Sequence, residues 1–259
     1  MYDVAKIEAA LSATMFARKV HYAESTGSTN DDALQAARAG APDGSVYVAN
    51  EQTAGRGRGD HAWLSNAGEG LYVSALLRTA IPPSRLPLLP LAAGLAAGDA
   101  IQEASGIAVD LRWPNDLLIG ARKTGGILVE SHIEVGSVAF AVVGIGINVH
   151  QRSFATDLAT PATSLDLEAG AAISRQRLLI ALLKSLQREV QALLNGEAHQ
   201  AIPRRVEAVS TWVRGRRVEV HGPQACAGVT DGLDGHGFLR VGTTNGLVTV
   251  QTGGLRAAD

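Results

Sequence analysis

The spacing of hydrophobic and polar positions divides the first 195 residues into alternating helices and strands. Apolar residues recur at three- and four-residue intervals, which predicts helices over residues 3–19, 29–39, 88–105 and 174–194. Alternating or continuous apolar runs predict strands over residues 44–52, 70–78, 107–120, 122–133 and 136–150. Ser28, Thr29 and Asn30 are typical of a turn and helix N-cap, and Gly40 of a helix end. The pattern therefore predicts a mixed α/β body, with helices distributed among the strands.

The pattern changes after Trp212. Short alternating segments, separated by glycine-rich turns, occupy residues 215–222, 225–234, 237–246 and 247–255. Such regular spacing is typical of a small all-β barrel. We accordingly predict two domains, residues 1–209 and residues 210–259.

Composition narrows the class of protein. The 259 residues are 46% hydrophobic and 19% charged, which is ordinary for a globular chain, and the net charge is −2. No chain-wide positive field would attract DNA or an anionic membrane. Charged residues at positions 3, 6 and 8 interrupt the apolar run of a signal peptide, so we expect a cytoplasmic protein. Cys226 is the only cysteine, which excludes an internal disulfide and favours a buried structural thiol.

The loop GRGRGDHAW, residues 55–63, is the first stretch with a chemical signal. Its glycines permit close backbone approach to a ligand, and its two arginines offer fork-shaped donors, so it favours a clamp for phosphate or carboxylate. It is neither a dinucleotide fingerprint nor a P-loop, because Asp60 replaces the third glycine and no G-K-[ST] follows. A mobile linker and a nucleic-acid-binding segment are the alternatives that this stretch alone leaves open.

Three further stretches each have a functional and a structural interpretation. RWPNDLL, residues 112–118, places Asn115 and Asp116 at a strand-to-turn junction, either as binding residues or as an Asx turn beside a core tryptophan. RKTGGILVE, residues 122–130, holds Lys123 before two glycines, either facing an anion in a pocket or in solvent. VVGIGINV, residues 142–149, places glycines in an apolar strand, which indicates close approach of a ligand or a bulge with a core asparagine.

The order and spacing of these motifs carry more information than any one of them. Ser28-Thr29-Asn30, EQTAGRGR, RWPND, RKTGGILVE, GIGINV and PATSL follow one another ahead of the terminal β module. In this arrangement the chain, from about residue 20 to 256, resembles the biotin protein ligase family. The resemblance implies an α+β fold: a catalytic domain in which helices flank a mixed sheet, followed by a small SH3-like β-barrel. It also implies that the protein forms biotinyl-5'-AMP from biotin and ATP and transfers biotin to a lysine of a biotin carboxyl carrier protein.

The resemblance assigns roles to individual residues. It places in the biotin pocket Ser28, Thr29, Asn30, Gln52, Arg56, Gly57, Arg58, Lys123, Gly126, Gly144 and Gly146. It places beside the nucleotide Arg56, Arg58, Trp63, Arg112, Asn115 and Asn148. Lys123 would stabilise the biotin carboxylate and the charge that develops on the α-phosphate, while Arg58 would close over the adenylate. Asp116 would orient the acceptor lysine or assist its deprotonation.

The same resemblance implies how ligands are held. Gly126, Gly144 and Gly146 would give a ligand access to the backbone. Mg²⁺ is expected to enter through the ATP phosphates rather than through a cluster of protein ligands.

Two departures from the family pattern modify these expectations. Asp60 and His61 stand where many relatives continue the loop with a glycine and a basic residue, which reduces the positive charge at its far end. Arg112 stands where lysine is frequent, and an arginine reaches its partners differently.

The resemblance leaves several alternatives open. About twenty residues precede the first motif, too few for a helix-turn-helix domain, so we expect a ligase without repressor function. The RGRR cluster at residues 214–217 is expected to be solvated surface rather than a DNA contact. A homodimer is compatible with the sequence. A lipoate or octanoate protein ligase and a non-catalytic biotin or nucleotide sensor are the alternative functions.

Overall fold

The structure, a computed structural model, describes residues 2–59, 61–78 and 80–258. Its helices are α1 (Val4–Ala10), α2 (Thr29–Arg38), α3 (Leu89–Ser105), α4 (Leu165–Ala169), α5 (Arg175–Leu194) and α6 (Ala201–Val209), with short 3-10 helices at Pro83–Leu88 and Ala198–Gln200. Its strands are β1 (Val20–Thr26), β2 (Val46–Gln52), β3 (Gly70–Leu77), β4 (Asp110–Arg112), β5 (Asp116–Ile119), β6 (Arg122–Glu134), β7 (Ser137–Asn148), β8 (Arg214–His221), β9 (Cys226–Leu233), β10 (Leu239–Thr243), β11 (Gly246–Val250) and β12 (Gly254–Ala257). The fold is α+β, as the sequence predicts. Asp60 lies outside the described residues.

Seven strands form a mixed sheet in the order β1-β2-β3-β7-β6-β5-β4. β1 and β2 run parallel, whereas the central strands β3, β7 and β6 are antiparallel. In the middle of the sheet Gly146 pairs with Tyr72 on one side and Gly126 on the other. Gly144 pairs in the same way with Ser74 and Leu128. Each of these glycines and its two partners form a row across the sheet, and the two sets are the glycine rows. Because side chains alternate along a strand, both glycine rows share one face of the sheet.

Helices cover the sheet unequally. Helices α3 and α5 pack on one face of the sheet. The residues of β3 on this face belong to the main buried cluster: Leu71, Val73, Ala75 and Leu77. On the other face α2 contributes Ala33 and Ala37 to a smaller cluster with Leu76, Phe140 and Val142. The two glycine rows lie on this second face, beside the N-terminus of α2. The sheet therefore has one face that forms the core and one that is left partly open for a site.

The last five strands form an antiparallel sheet in the order β11-β10-β9-β8-β12. Its apolar residues belong to the same buried cluster as the first sheet, and the indole Nε1 of Trp113 donates a 3.0 Å hydrogen bond to the Gly237 carbonyl. The second sheet thus contacts α6, the start of α3 and the loop that carries Trp113. Cys226 in β9 is only partly buried, not fully as predicted, and burial raises the pKa of its thiol.

The largest departure from the predicted elements is at the N-terminus. The helix predicted over residues 3–19 ends at Ala10, because the Thr14 hydroxyl and amide both turn back to the Leu11 carbonyl and open a series of turns. The following segment, Val20–Thr26, is a strand that the pattern did not predict. The helices predicted over residues 29–39, 88–105 and 174–194 are confirmed.

Candidate active site

A pocket opens on the α2 face of the first sheet. It is lined by every residue that the sequence analysis places around biotin, together with Trp63, Tyr72, Asn115, Ile127, Leu128 and Ile145. Its free volume is about 50 Å³. Pockets that hold small molecules measure roughly 300–1,000 Å³, so a ligand would have to displace side chains.

The floor of the pocket is a network of neutral hydrogen bonds around Gln52. Its Oε1 accepts from the amide and the hydroxyl of Thr29 at 2.9 and 3.1 Å, and its Nε2 donates to the Ser65 hydroxyl at 2.8 Å. Ser28 has the backbone conformation of a helix N-cap, but its side chain makes no capping bond. The start of α2 thus brings Ser28 and Thr29 to the pocket, with the Ser28 hydroxyl not used to cap the helix.

Asn30 extends this floor to the strands. Its Oδ1 lies 2.5 Å from the Ser74 hydroxyl, and its Nδ2 donates to Glu130 Oε2 at 2.8 Å. A Cβ atom on Gly144 would lie 2.0 Å from Asn30 Oδ1. The absence of a side chain at Gly144 therefore makes room for Asn30, a protein group.

Trp63 covers the neighbouring glycine row. A Cβ on Gly146 would lie 2.5 Å from the indole Nε1, and one on Gly126 would lie 3.3 Å from the same ring. The Lys123 ammonium lies 5.5 Å from the ring centroid, within the range of a cation–π contact. The buried Nε1 has no hydrogen-bond partner among the described residues. A ligand that reached the backbone of these glycines would first displace the Trp63 ring.

The two arginines of the glycine-rich loop line the pocket but are held by protein groups. Arg56 makes a bidentate contact with Glu130 at 3.1 and 2.7 Å and lies 2.7 Å from Asp31. Burial lowers the pKa of Arg56, but these two carboxylates outweigh it and raise the pKa above its usual value. Arg58 donates to the Thr252 hydroxyl and the Gly253 carbonyl, between β11 and β12. One arginine is thus tied to the first sheet and the other to the second.

A charged wall stands beside the pocket. Asp116 Oδ1 lies 2.5 Å from the Lys123 ammonium, while its Oδ2 accepts from Arg112 at 2.6 and 3.1 Å. Burial by itself raises the pKa of Asp116, but the two cations outweigh it and hold the pKa of that carboxyl below its usual value. A carboxylate held in this way is a weak base. The geometry favours a role in holding Lys123 over the predicted deprotonation of an acceptor lysine.

Three of the predicted site residues do not line the pocket: Arg112, Asp116 and Asn148. The first two lie behind Lys123. Asn148 is buried and donates from Nδ2 to the Thr163 carbonyl at 3.0 Å, which ties the end of β7 to the segment before α4. Asn115 does line the pocket, and its Nδ2 donates to the Ile127 carbonyl at 2.8 Å. Both asparagines therefore have a structural function in addition to any contact with a nucleotide.

Sequence reasoning missed three side chains of the site. Glu130 follows Gly126 by four residues on β6, so the two-residue period of a strand places it on the pocket face and could have identified it. Tyr72 and Ser74 come from β3, and only the register of β3 against β7 shows that they face the glycine rows.

Neither a metal-binding cluster nor a membrane-spanning helix occurs among the residues that the structure describes. No group of three or more His, Cys, Asp or Glu side chains within residues 2–59, 61–78 and 80–258 is arranged to hold a metal ion. In the same part of the chain, none of the helices has the length and apolar character needed to cross a bilayer.

The sequence and the fold are both similar to known proteins. The model of the Biotin/lipoate A/B protein ligase family matches residues 22–148. The chain is 41% identical over 172 residues to the bifunctional ligase/repressor BirA of Bacillus subtilis, covering 66% of this chain and 53% of that protein. It thus spans about half the length of that relative. It is 34% identical over 242 residues to biotin–[acetyl-CoA-carboxylase] ligase of Mycobacterium tuberculosis, covering 91% and 88% of the two chains.

Among solved structures, the biotin protein ligase from Aquifex aeolicus in complex with biotin and ATP superposes with a TM-score of 0.80 at 28% identity. The superposition covers 93% of this chain and 100% of that chain. Sequence and fold agree over nearly the full length of this chain, and the chain therefore belongs to the biotin protein ligase family.

Proposed function

We propose that the protein is an ATP-dependent ligase that forms biotinyl-5'-AMP and transfers biotin to a lysine of a biotin carboxyl carrier protein. One observation carries the proposal: all residues that the family pattern assigns to biotin converge on a single pocket, with the Lys123 ammonium at its wall. A neutral floor suits the ureido ring of biotin, which both donates and accepts hydrogen bonds. A cation at the wall suits a carboxylate.

In the first step, a carboxylate oxygen of biotin attacks the α-phosphorus of ATP, the bond to the bridging oxygen breaks, and pyrophosphate leaves. The carboxylate is itself the nucleophile, so this step requires charge neutralisation and alignment rather than a general base. Lys123 supplies the positive charge, and Asp116 fixes the position of that charge from behind. To act on a substrate, the ammonium has to bridge its aspartate and the incoming carboxylate.

In the second step, the neutral amine of the acceptor lysine attacks the acyl carbon of the adenylate, the bond from that carbon to the phosphate oxygen breaks, AMP leaves, and the amine proton is lost to solvent. The mixed anhydride is reactive, so the site must exclude water and other amines until the carrier arrives. Arg56 and Arg58 are positioned to contribute from the loop that borders the pocket. Opening of their protein contacts would allow them to turn toward the phosphate.

Mg²⁺ enters, in this proposal, on the phosphate oxygens of ATP. The carboxylates nearest the pocket are committed to cations: Asp31 and Glu130 to Arg56, and Asp116 to Lys123. These residues fit a metal that arrives with the triphosphate better than a metal held by the protein itself. The ion would neutralise charge on the leaving pyrophosphate.

The test is incubation of the purified chain with ATP, Mg²⁺ and biotin, with and without an apo carrier domain. We expect pyrophosphate release with biotin alone and biotinylation of one carrier lysine when the domain is added. A parallel reaction with lipoate or octanoate serves as the control for substrate class. Lipoylation without biotinylation would overturn the proposal, as would tight biotin binding without pyrophosphate release, the behaviour of a sensor.

A further inference from the structure

Two guanidinium groups lie over the ring of Trp212, at the entry to the second sheet. The Cζ atom of Arg216 is 3.7 Å from its ring centroid, and that of Arg112 is 5.2 Å away. Trp212 is only 5% exposed, and the Arg112 side chain is only 9% exposed. The tryptophan therefore orders the buried arginine of β4 from the side of the second sheet.

The backbone around Trp212 is fixed to β4. The Ser210 hydroxyl donates to the Leu111 carbonyl at 2.5 Å and accepts from the Trp212 amide at 3.1 Å. The Thr211 amide donates to Asp110 Oδ1 at 2.9 Å. Because three consecutive residues are bonded to this strand or to each other, the ring has little freedom to leave Arg112.

Arg112 in turn fixes the carboxylate that holds Lys123. Its guanidinium donates to Asp116 Oδ2 from Nε and Nη2 and to the Thr160 hydroxyl at 2.9 Å. The other carboxylate oxygen, Oδ1, is thereby turned toward the Lys123 ammonium 2.5 Å away. A continuous set of contacts leads from the junction of the second sheet to the amine at the pocket.

We propose that Arg112 and Trp212 are positioning residues for Lys123: the indole holds the guanidinium, the guanidinium orients Asp116, and Asp116 places the ammonium at the pocket. This inference rests on the proposed function for its effect on catalysis. Lysine carries its charge on a flexible four-carbon chain, so an ammonium that must meet a developing charge gains from a fixed partner. Arginine suits the position because its planar fork can stack on the indole and bond the carboxylate at once.

The kinetic test compares variants along this path with a matched control. Arg112→Met is expected to lower kcat of adenylate formation about tenfold with less than a twofold change in KM for biotin, because biotin contacts the floor and not Arg112. Trp212→Leu is expected to lower kcat about threefold, and Trp212→Phe, which keeps an aromatic face, is expected to restore most of it. Arg216→Met is the control, because Arg216 stacks on the same ring without contacting Asp116; its kcat is expected to stay within twofold.

A double-mutant cycle tests whether Arg112 acts through Asp116. If it does, Arg112→Met together with Asp116→Asn is no slower than Asp116→Asn alone, within about twofold. Multiplied losses would overturn the proposal, as would a loss in Arg216→Met equal to that in Arg112→Met. Thermal unfolding of each variant identifies any that fail to fold, and the Arg112→Met and Trp212→Phe variants keep the test decisive if Trp212→Leu is one of them.

A readout without catalysis separates this inference from the proposed function. The Lys123 amine is acetylated with acetic anhydride in the absence of substrates, and its labelling is measured by peptide mass spectrometry relative to the exposed Lys184. Arg112→Met frees the Asp116 carboxylate to turn away from the amine and is expected to raise the labelling of Lys123 at least threefold, in the same direction as Asp116→Asn. Unchanged labelling in Arg112→Met overturns the positioning role. If the variants show the expected labelling but the protein makes no adenylate, the proposed function is overturned and the positioning role stands.

Discussion

The floor and the wall of the pocket are built on different physical principles. On the floor, Gln52, Thr29 and Asn30 are joined by neutral hydrogen bonds between groups on α2 and the central strands. At the wall, Asp116 joins two cations, Lys123 and Arg112, by ion pairs. The floor is fixed by short-range geometry, whereas the wall also depends on a second sheet that begins about a hundred residues further along the chain.

This difference suggests a division of tasks. A floor of mostly neutral hydrogen-bonding groups discriminates by shape and by donor and acceptor positions, because a wrong ligand leaves buried polar groups unpaired. A charged wall contributes most where charge develops during a reaction. Changes to the floor should therefore act mainly on binding, and changes to the wall mainly on rate.

Removal of the wall's ammonium should have the largest effect. Lys123→Ala is expected to slow adenylate formation at least tenfold, which corresponds to about 1.4 kcal/mol or more in the barrier. Pyrophosphate release with biotin and ATP is the measurement, and Lys184→Ala, at an exposed position on α5, is the control. A near-normal rate in Lys123→Ala would remove this residue from the site.

A change to the floor should act on binding. In Gly144→Ala the new methyl group would meet Asn30 Oδ1, so the asparagine must leave Ser74 or Glu130. We expect biotin binding to weaken about fivefold, or about 1 kcal/mol, by isothermal titration calorimetry. Gly196→Ala is the matched control, because nothing lies within 4 Å of a Cβ added there. Unchanged affinity would mean that biotin does not use this part of the floor.

The loop above the floor and the wall should affect selectivity more than rate. Arg58→Gly removes the contact with Thr252 and Gly253 and is expected to release adenylate, so that labelling of bystander lysines rises about threefold. Biotinylation of bovine serum albumin in the reaction mixture measures this release. If Arg58→Gly leaves the labelling of bystander lysines unchanged while Arg56→Gly changes it, the loop retains the adenylate only through the contacts of Arg56 with Asp31 and Glu130.

The smallest expected effect concerns the pH dependence of stability. The folded-state pKa of Asp116 lies below the ordinary value of about 3.9, so its ion pairs stabilise the fold above that pH, and this contribution is lost as pH falls through the lower, folded-state pKa. We therefore expect the melting temperature of Asp116→Asn to lie below that of the wild type at pH 7 and the gap to narrow below about pH 4. Asp157→Asn, at an exposed loop position, serves as the control. A gap that stays constant down to pH 2.5 would contradict the ion-pair account.

Local patterns in the sequence predict the floor better than the wall. The start of α2, the loop after β2 and the glycines of β6 and β7 each have a recognisable signature, and the structure brings them to one pocket. The sequence also identifies three residues of the wall as candidates, namely Arg112, Asp116 and Lys123. It does not show which side chains each of them contacts. Arg112 faces Asp116 because the two are opposite each other in the β4–β5 pairing, whereas its contact with the Trp212 indole depends on where the chain enters the second sheet.

Local patterns fall short in two places, because they carry no information about tertiary partners. The helix predicted to residue 19 follows a local apolar period, but Val20–Thr26 gains more by pairing with β2 as an edge strand. The glycines of β7 signal close approach of another group, as predicted. The signal does not tell whether that group is a ligand or, as the structure has it, the side chains of Asn30 and Trp63.

The most direct test of the central claim, that floor and wall form one site for biotin adenylation, is a crystal structure with biotin and a non-hydrolysable ATP analogue. The account predicts the ureido ring against Thr29 and Gln52, and the Trp63 ring moved off the backbone of Gly146. It also predicts the biotin carboxylate within about 3 Å of the Lys123 ammonium, which keeps its contact with Asp116. Biotin bound with its carboxylate remote from Lys123, or outside this pocket, would contradict the account.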